Sequence, residues 1–273
     1  MSEAERVTVR VSDGVADVRL NRPEKRNALD PAMFRAIVEA STQLAAEPGV
    51  RAVVLSGEGR SFCAGLDMSS FQAMAGTSDP SVPSTARTLG GRDEARITNL
   101  AQQAAYGWTE LPVPVIAAVH GHALGGGLQI ALGADIRIVA PDAQLSVLEI
   151  KWGLVPDMTG THMLARLVPL DVAKELVWTG RLVSGQEAVA LGLATSVSDD
   201  PRASALELAG LIAGKNPHAI AAGKRLLNQT GAVSAAQQFL DESKEMGALI
   251  GSTNQTEAVR AAFEGREPRF ADR

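Results

Sequence analysis

The stretch His120-Gly121-His122-Ala123-Leu124-Gly125-Gly126-Gly127-Leu128-Gln129 governs how this chain is read. It follows a compact apolar run, Val115 to Val119, that reads as a buried strand. It leads into Leu128-Gln129-Ile130-Ala131-Leu132, the first turns of a helix. The consecutive glycines are not there for helix propensity, since each costs about 1 kcal/mol against alanine inside a helix. They fit backbone that must turn tightly and expose its N–H groups. Such a junction gathers unpaired donors and the positive end of a helix dipole, which can hold an anion or stabilise one formed in a reaction.

A second loop of the same kind lies upstream. Arg51-Ala52-Val53-Val54-Leu55-Ser56 reads as a strand and runs into Gly57-Glu58-Gly59-Arg60-Ser61-Phe62-Cys63-Ala64-Gly65-Leu66-Asp67. Two glycine-bearing loops after two strands can each supply one N–H to a shared oxygen. Before them, Val7–Val11 and Val15–Leu20 flank the hairpin signal Asp13-Gly14. Asp30-Pro31 marks a helix start, and that helix stops before Pro48-Gly49. Residues 68–92 carry no sustained periodicity, longer than packing needs, and suit either a linker or a lid. A helix is expected from Asp93 through Leu100 to about Trp108. Ser184-Gly185-Gln186-Glu187 has the form of a capping box, assigned to a short helix preceding it. Beyond residue 200 helices are expected at about 202–213, 217–229, 233–250 and 253–264.

Composition narrows the function. With 26 basic against 31 acidic residues the net charge is −5, and only 4% of residues are aromatic, which argues against a nucleic-acid surface. No run of 18 apolar residues occurs, so no membrane span is expected. The opening Met1-Ser2-Glu3-Ala4-Glu5-Arg6 has no apolar segment, and a cytoplasmic location is expected. The single cysteine, Cys63, rules out an intrachain disulfide and reads as a small packed residue. His120 and His122 alternate as metal ligands can, but no third ligand stands nearby, and no metal is expected.

Taken together, these motifs resemble the crotonase, or enoyl-CoA hydratase/isomerase, superfamily across nearly the whole chain. Leu20-Asn21-Arg22-Pro23-Glu24-Lys25-Arg26-Asn27-Ala28-Leu29 resembles the family's opening motif, which lies against CoA, with Lys25 and Arg26 suited to its phosphates. Ser61–Asp67 and Gly125–Gly127 resemble the two oxyanion-hole loops, placing the N–H donors at Ala64 and Gly126. Ala134–Ile138 resembles the next strand and Phe263–Phe270 the C-terminal ending. The resemblance implies an α/β fold. Its spiral core of strand-strand-helix units would occupy residues 1–200, and a helical region 201–273 would serve oligomerisation and pocket closure. It also implies a homotrimer or dimer of trimers, an acyl-CoA thioester substrate contacted by Ala64, Gly65, Leu66, Asp67, Gly126 and Gln129, and no cofactor beyond the substrate's CoA.

The resemblance also raises the question of proton transfer. Glu149, in Ser146-Val147-Leu148-Glu149-Ile150-Lys151-Trp152-Gly153, matches the second catalytic glutamate of the hydratases, whereas Gln129 stands where they carry the first. An amide cannot accept a proton from water. Asp157 lies eight residues after Glu149, the spacing of an aspartate in the dienoyl-CoA isomerases. Asp67 is a candidate for orienting the first loop by capping a following turn, and Trp152 for a pocket wall or core position. The leading expectation is double-bond isomerisation of an enoyl- or dienoyl-CoA. The alternatives are hydration managed by Glu149 and Asp157, thioester hydrolysis or decarboxylation at the same oxyanion hole, and a non-catalytic acyl-CoA-binding scaffold.

Overall fold

Asp13 and Gly14, both at positive φ, fold β1 (Val7–Ser12) back onto β2 (Val15–Leu20) as an antiparallel hairpin. The computed structural model describes residues 5–67, 91 and 96–273, so the 68–92 segment lies outside the described residues apart from Gly91. After the hairpin, Asp30 caps α1 (Pro31–Ala46) by accepting the Met33 N–H at 2.7 Å, with proline at the first helical position. Strand β3 (Ala52–Gly57) pairs in parallel with β2, one residue later than the sequence suggests.

From β3 outward the main sheet is parallel. Its order is β1-β2-β3-β4-β6-β9, with β4 at Val115–Val119, β6 at Ile136–Val139 and β9 at Ser196–Val197. A parallel strand must be covered on both faces. Val53 and Leu55 accordingly join the core under α1 and α2 (Leu100–Glu110), where Phe34, Ile37 and Trp108 are buried. Ala52 and Val54 face the other way, with Ile116 and Ala118, onto Ala205 and Ala209 of a later helix. A smaller sheet, β5 (His122–Leu124), β7 (Gln144–Ser146) and β8 (Val183–Ser184), stands beside this one and carries the glycine loops.

Two helix starts differ from expectation. Residues 96–99 are not helical; α2 begins at Leu100, because Asn99 and Gln102 cap each other reciprocally, while residues 93–95 lie outside the described residues. Ser184 belongs to a helix that follows it: its hydroxyl takes the Glu187 N–H at 3.1 Å, and the Glu187 carboxylate turns to Arg181 instead of completing the box.

Short helices α3 (Gly126–Leu132), α4 (Gly160–Leu167), α5 (Leu170–Thr179) and α6 (Gly185–Leu191) fill the second half of the spiral. The C-terminal helices are α7 (Pro201–Ala213), α8 (Pro217–Gln229), α9 (Ala235–Leu249) and α10 (Thr253–Glu264). α7 is part of the core, since Ala205 and Ala209 are fully buried against the sheet, and the outlying helices begin with α8. The chain end returns to the start of β3, where Arg51 donates to the Phe270 carbonyl and pairs with Asp272 at 2.8 Å. No described helix is long and apolar enough to cross a membrane.

Candidate active site

The two glycine loops are joined edge to edge. Cys63 donates its N–H to the His122 carbonyl at 2.9 Å and accepts from Leu124 at 3.1 Å, forming a parallel bridge with Ala123. This approach requires glycine. A Cβ on Gly127 would run into the Cys63 carbonyl, and one on Gly65, at φ +86°, would lie 2.6 Å from the Leu124 carbonyl oxygen. That same position is 3.8 Å from the Gly126 nitrogen, so residues 64–66 lie directly beside the second loop.

Among the described residues neither the Gly126 nor the Leu66 N–H at this junction has a backbone acceptor. Gly126 opens α3, and its N–H has no acceptor among the described residues. Ala64, expected to supply the other donor, is already engaged: its N–H goes to the Arg26 carbonyl at 3.0 Å. Two residues on, Leu29 donates to the Gly65 carbonyl at 2.8 Å and accepts from the Asp67 N–H at 3.0 Å. Extended backbone alternates its polar groups, so the Leu66 N–H faces away from Leu29 and has no partner among the described residues. The N–H of the first loop left open beside the second loop is therefore that of Leu66 and not that of Ala64. The choice depends on pairing with Leu29, 37 residues away, and the only local hint is the glycine kink just before it.

Glu149 sits against the second loop. It lies in a single 3-10 turn, Leu148–Trp152, immediately after β7. A Cβ on Gly125 would be 3.4 Å from its Oε1, so the carboxylate adjoins the glycine loop just before the Gly126 N–H. Oε1 accepts from Gln129 Nε2 at 2.5 Å, while Oε2 is buried without a partner among the described residues. Burial lifts the Glu149 pKa above the ordinary glutamate range, and the charge of Asp157 adds to the rise. Asp157 itself makes no side-chain hydrogen bond to Glu149. Although the residue is exposed, partial desolvation of its carboxyl raises its pKa too.

Gln129, expected among the substrate contacts, is only 2% exposed and points into the protein. Lys25 and Arg26 are exposed at the turn Pro23–Lys25, with Arg26 and Asn27 both left-handed at φ 51° and 56°. Asp67 is buried and takes Arg22 at 2.6 Å, tying the opening motif to the first loop; the turn it was expected to cap lies outside the described residues. Asn27 escapes notice in the sequence. It is fully buried, its amide nitrogen donates to the carbonyls of Glu58, Ser61 and Phe62, and its oxygen accepts from the Arg22 N–H.

Cys63 is buried and its thiol is pushed up to about 12, a packed residue and no nucleophile. The rings of His120 and His122 meet the Gly59 carbonyl and the Ser61 hydroxyl, both at 3.0 Å. Trp152 is exposed beneath Lys151, 5.7 Å from the ring centre, so it is not a core residue. Among the described residues no three His, Cys, Asp or Glu side chains gather to hold a metal.

Residues 10–273 match the enoyl-CoA hydratase/isomerase family model. The chain belongs to that family. An enoyl-CoA hydratase of Mycobacterium tuberculosis is 34% identical, over 94% of this chain and 92% of its own length. The (E)-benzylidenesuccinyl-CoA hydratase of Thauera aromatica is 32% identical, over 97% and 98%. Among solved structures, an enoyl-CoA hydratase from Bacillus anthracis superposes with a TM-score of 0.86 at 30% identity, covering 97% of this chain and 98% of the other. The fold is thus that of the crotonase superfamily, and the chain is an enzyme of the lyase or isomerase type acting within that family's enoyl-CoA chemistry.

Proposed function

We propose that the protein isomerises a double bond of an enoyl- or dienoyl-CoA thioester. The thioester oxygen accepts from the Leu66 and Gly126 N–H groups, which stabilise it as the enolate forms; one such donor is worth about 3–4 kcal/mol of barrier. Glu149 removes the C2 proton of a 3-enoyl thioester, the electrons move into the enolate, and the proton returns at C4 as the bond shifts to C2=C3. Nothing is added or lost. Lys25 and Arg26 meet the CoA phosphates, and no cofactor beyond the substrate's own CoA takes part.

The carrying observation is the pairing of one carboxylate, Glu149, with an amide, Gln129, where hydration by two glutamates needs a second carboxylate. Hydration is the second reading. It is favoured by the hydratase names of the relatives and by Asp157, whose charge reaches Glu149. A panel of crotonyl-CoA, 3-enoyl-CoA and 3,5-dienoyl-CoA, followed by absorbance and product mass, separates the two. Isomerisation leaves the mass unchanged, and fast conversion of crotonyl-CoA with gain of one water would overturn the first reading. The same reading includes a homotrimer or dimer of trimers in the cytoplasm.

A further inference from the structure

Three separate segments meet at the Gln129 side chain. Its Oε1 accepts from the Met158 N–H at 2.8 Å and the Gly160 N–H at 2.9 Å, and its Nε2 donates to Glu149 Oε1 at 2.5 Å. The two backbone donors fix which end of the amide is oxygen, because the reversed amide would turn its own N–H groups on them. Gln129 lies on α3 and is buried.

We infer that Gln129 is a positioning residue that engages Glu149 Oε1, leaves buried Oε2 as the oxygen that takes and returns the proton, and anchors the loop carrying Asp157. This rests on the reading of Glu149 as the base. It also gives a chemical reason for an amide at this position. An ionised carboxylate would accept equally well from Met158 and Gly160 but has no proton to donate to Glu149. It would instead set two negative charges within hydrogen-bond reach, and one of the pair would then hold a proton.

Gln129→Glu isolates the donor, since it keeps both backbone acceptor contacts. The Glu149 carboxyl is titrated by infrared difference spectroscopy, its band identified as the one lost in Glu149→Gln. The midpoint is expected to rise by about one pH unit or more in Gln129→Glu. The kcat for isomerisation should fall about tenfold or more, with KM changed less than about twofold. Gln129→Met, which removes donor and acceptor together, serves as the second variant should the first fail to fold, and it too is expected to raise the midpoint. An unmoved midpoint in a folded variant would overturn the positioning role. Normal turnover by Glu149→Gln would overturn the base assignment instead, and the infrared titration would still report on the Gln129 contact.

Discussion

At Glu149, burial and the neighbouring Asp157 charge act in one direction, lifting the carboxyl, while the hydrogen bond from Gln129 acts against them. A base must be ionised, so kcat/KM should fall as pH drops through a midpoint above the ordinary glutamate range, and a limb within the range of exposed glutamates would contradict the burial argument. Linkage gives a second consequence. A carboxyl whose folded pKa is raised binds its proton more tightly in the folded state, so it contributes stability in acid that is lost as pH rises through the folded value. Glu149→Gln should therefore abolish turnover, preserve acyl-CoA binding and raise Tm at pH 7, with the Tm gain shrinking towards pH 4. Calorimetry at the two pH values and a binding titration check all three, and a variant less stable than the parent at pH 7 would count against a desolvated carboxylate. Asp157→Asn distinguishes the two reactions: it should slow a 3,5-dienoyl thioester more than a simple 3-enoyl one, whose shorter proton shift needs Glu149 alone. Fast hydration lost in the same variant would favour the second reading.

Between elements, backbone approach decides what each glycine is for. Gly127 faces the Cys63 carbonyl where the two loops join, whereas Gly153, at φ +70°, has open space around it. Gly153→Ala should then cost about 1–2 kcal/mol, the left-handed strain alone. Gly127→Ala forces the loops apart and should cost more than about 4 kcal/mol or prevent folding. Urea unfolding of both variants measures the contrast, and equal costs would mean that the junction relaxes easily. The same distinction explains what was legible in the sequence. The glycine loops, the Asp13-Gly14 turn and the Asp30-Pro31 cap are local signals, and the structure repeats them. Leu66 and Asn27 were not legible, because their roles depend on partners more than 30 residues away: Leu29 for one, and the carbonyls of Ser61 and Phe62 for the other.

Over the whole molecule, strands β1 to β4 and helix α1 follow from hydrophobic pattern, and so do the four C-terminal helices to within about two residues, whereas α4 and α5 have no counterpart in the sequence reading. Pattern does not say what the C-terminal helices pack on. α7 lays small alanines on the sheet and belongs to the core, but α9 buries none of its residues. Phe239, Leu240 and Met246 on α9, Ile250 just after it and Phe263 on α10 are all exposed. Large apolar side chains so concentrated suit an interface better than a solvated surface. The family resemblance implies a trimer or dimer of trimers, and in such an assembly these side chains would be covered. Sedimentation equilibrium should give three or six times the chain mass. Replacing Phe239 and Leu240 together by glutamate should shift the mass towards the monomer while circular dichroism remains that of a folded protein, because neither side chain supports the core. Stability would then also depend on concentration in the parent and not in the variant, as expected when folding and association are linked. A parent that sediments as a monomer at micromolar concentration would remove the interface, leaving α9 as a helix whose apolar face is exposed for another purpose.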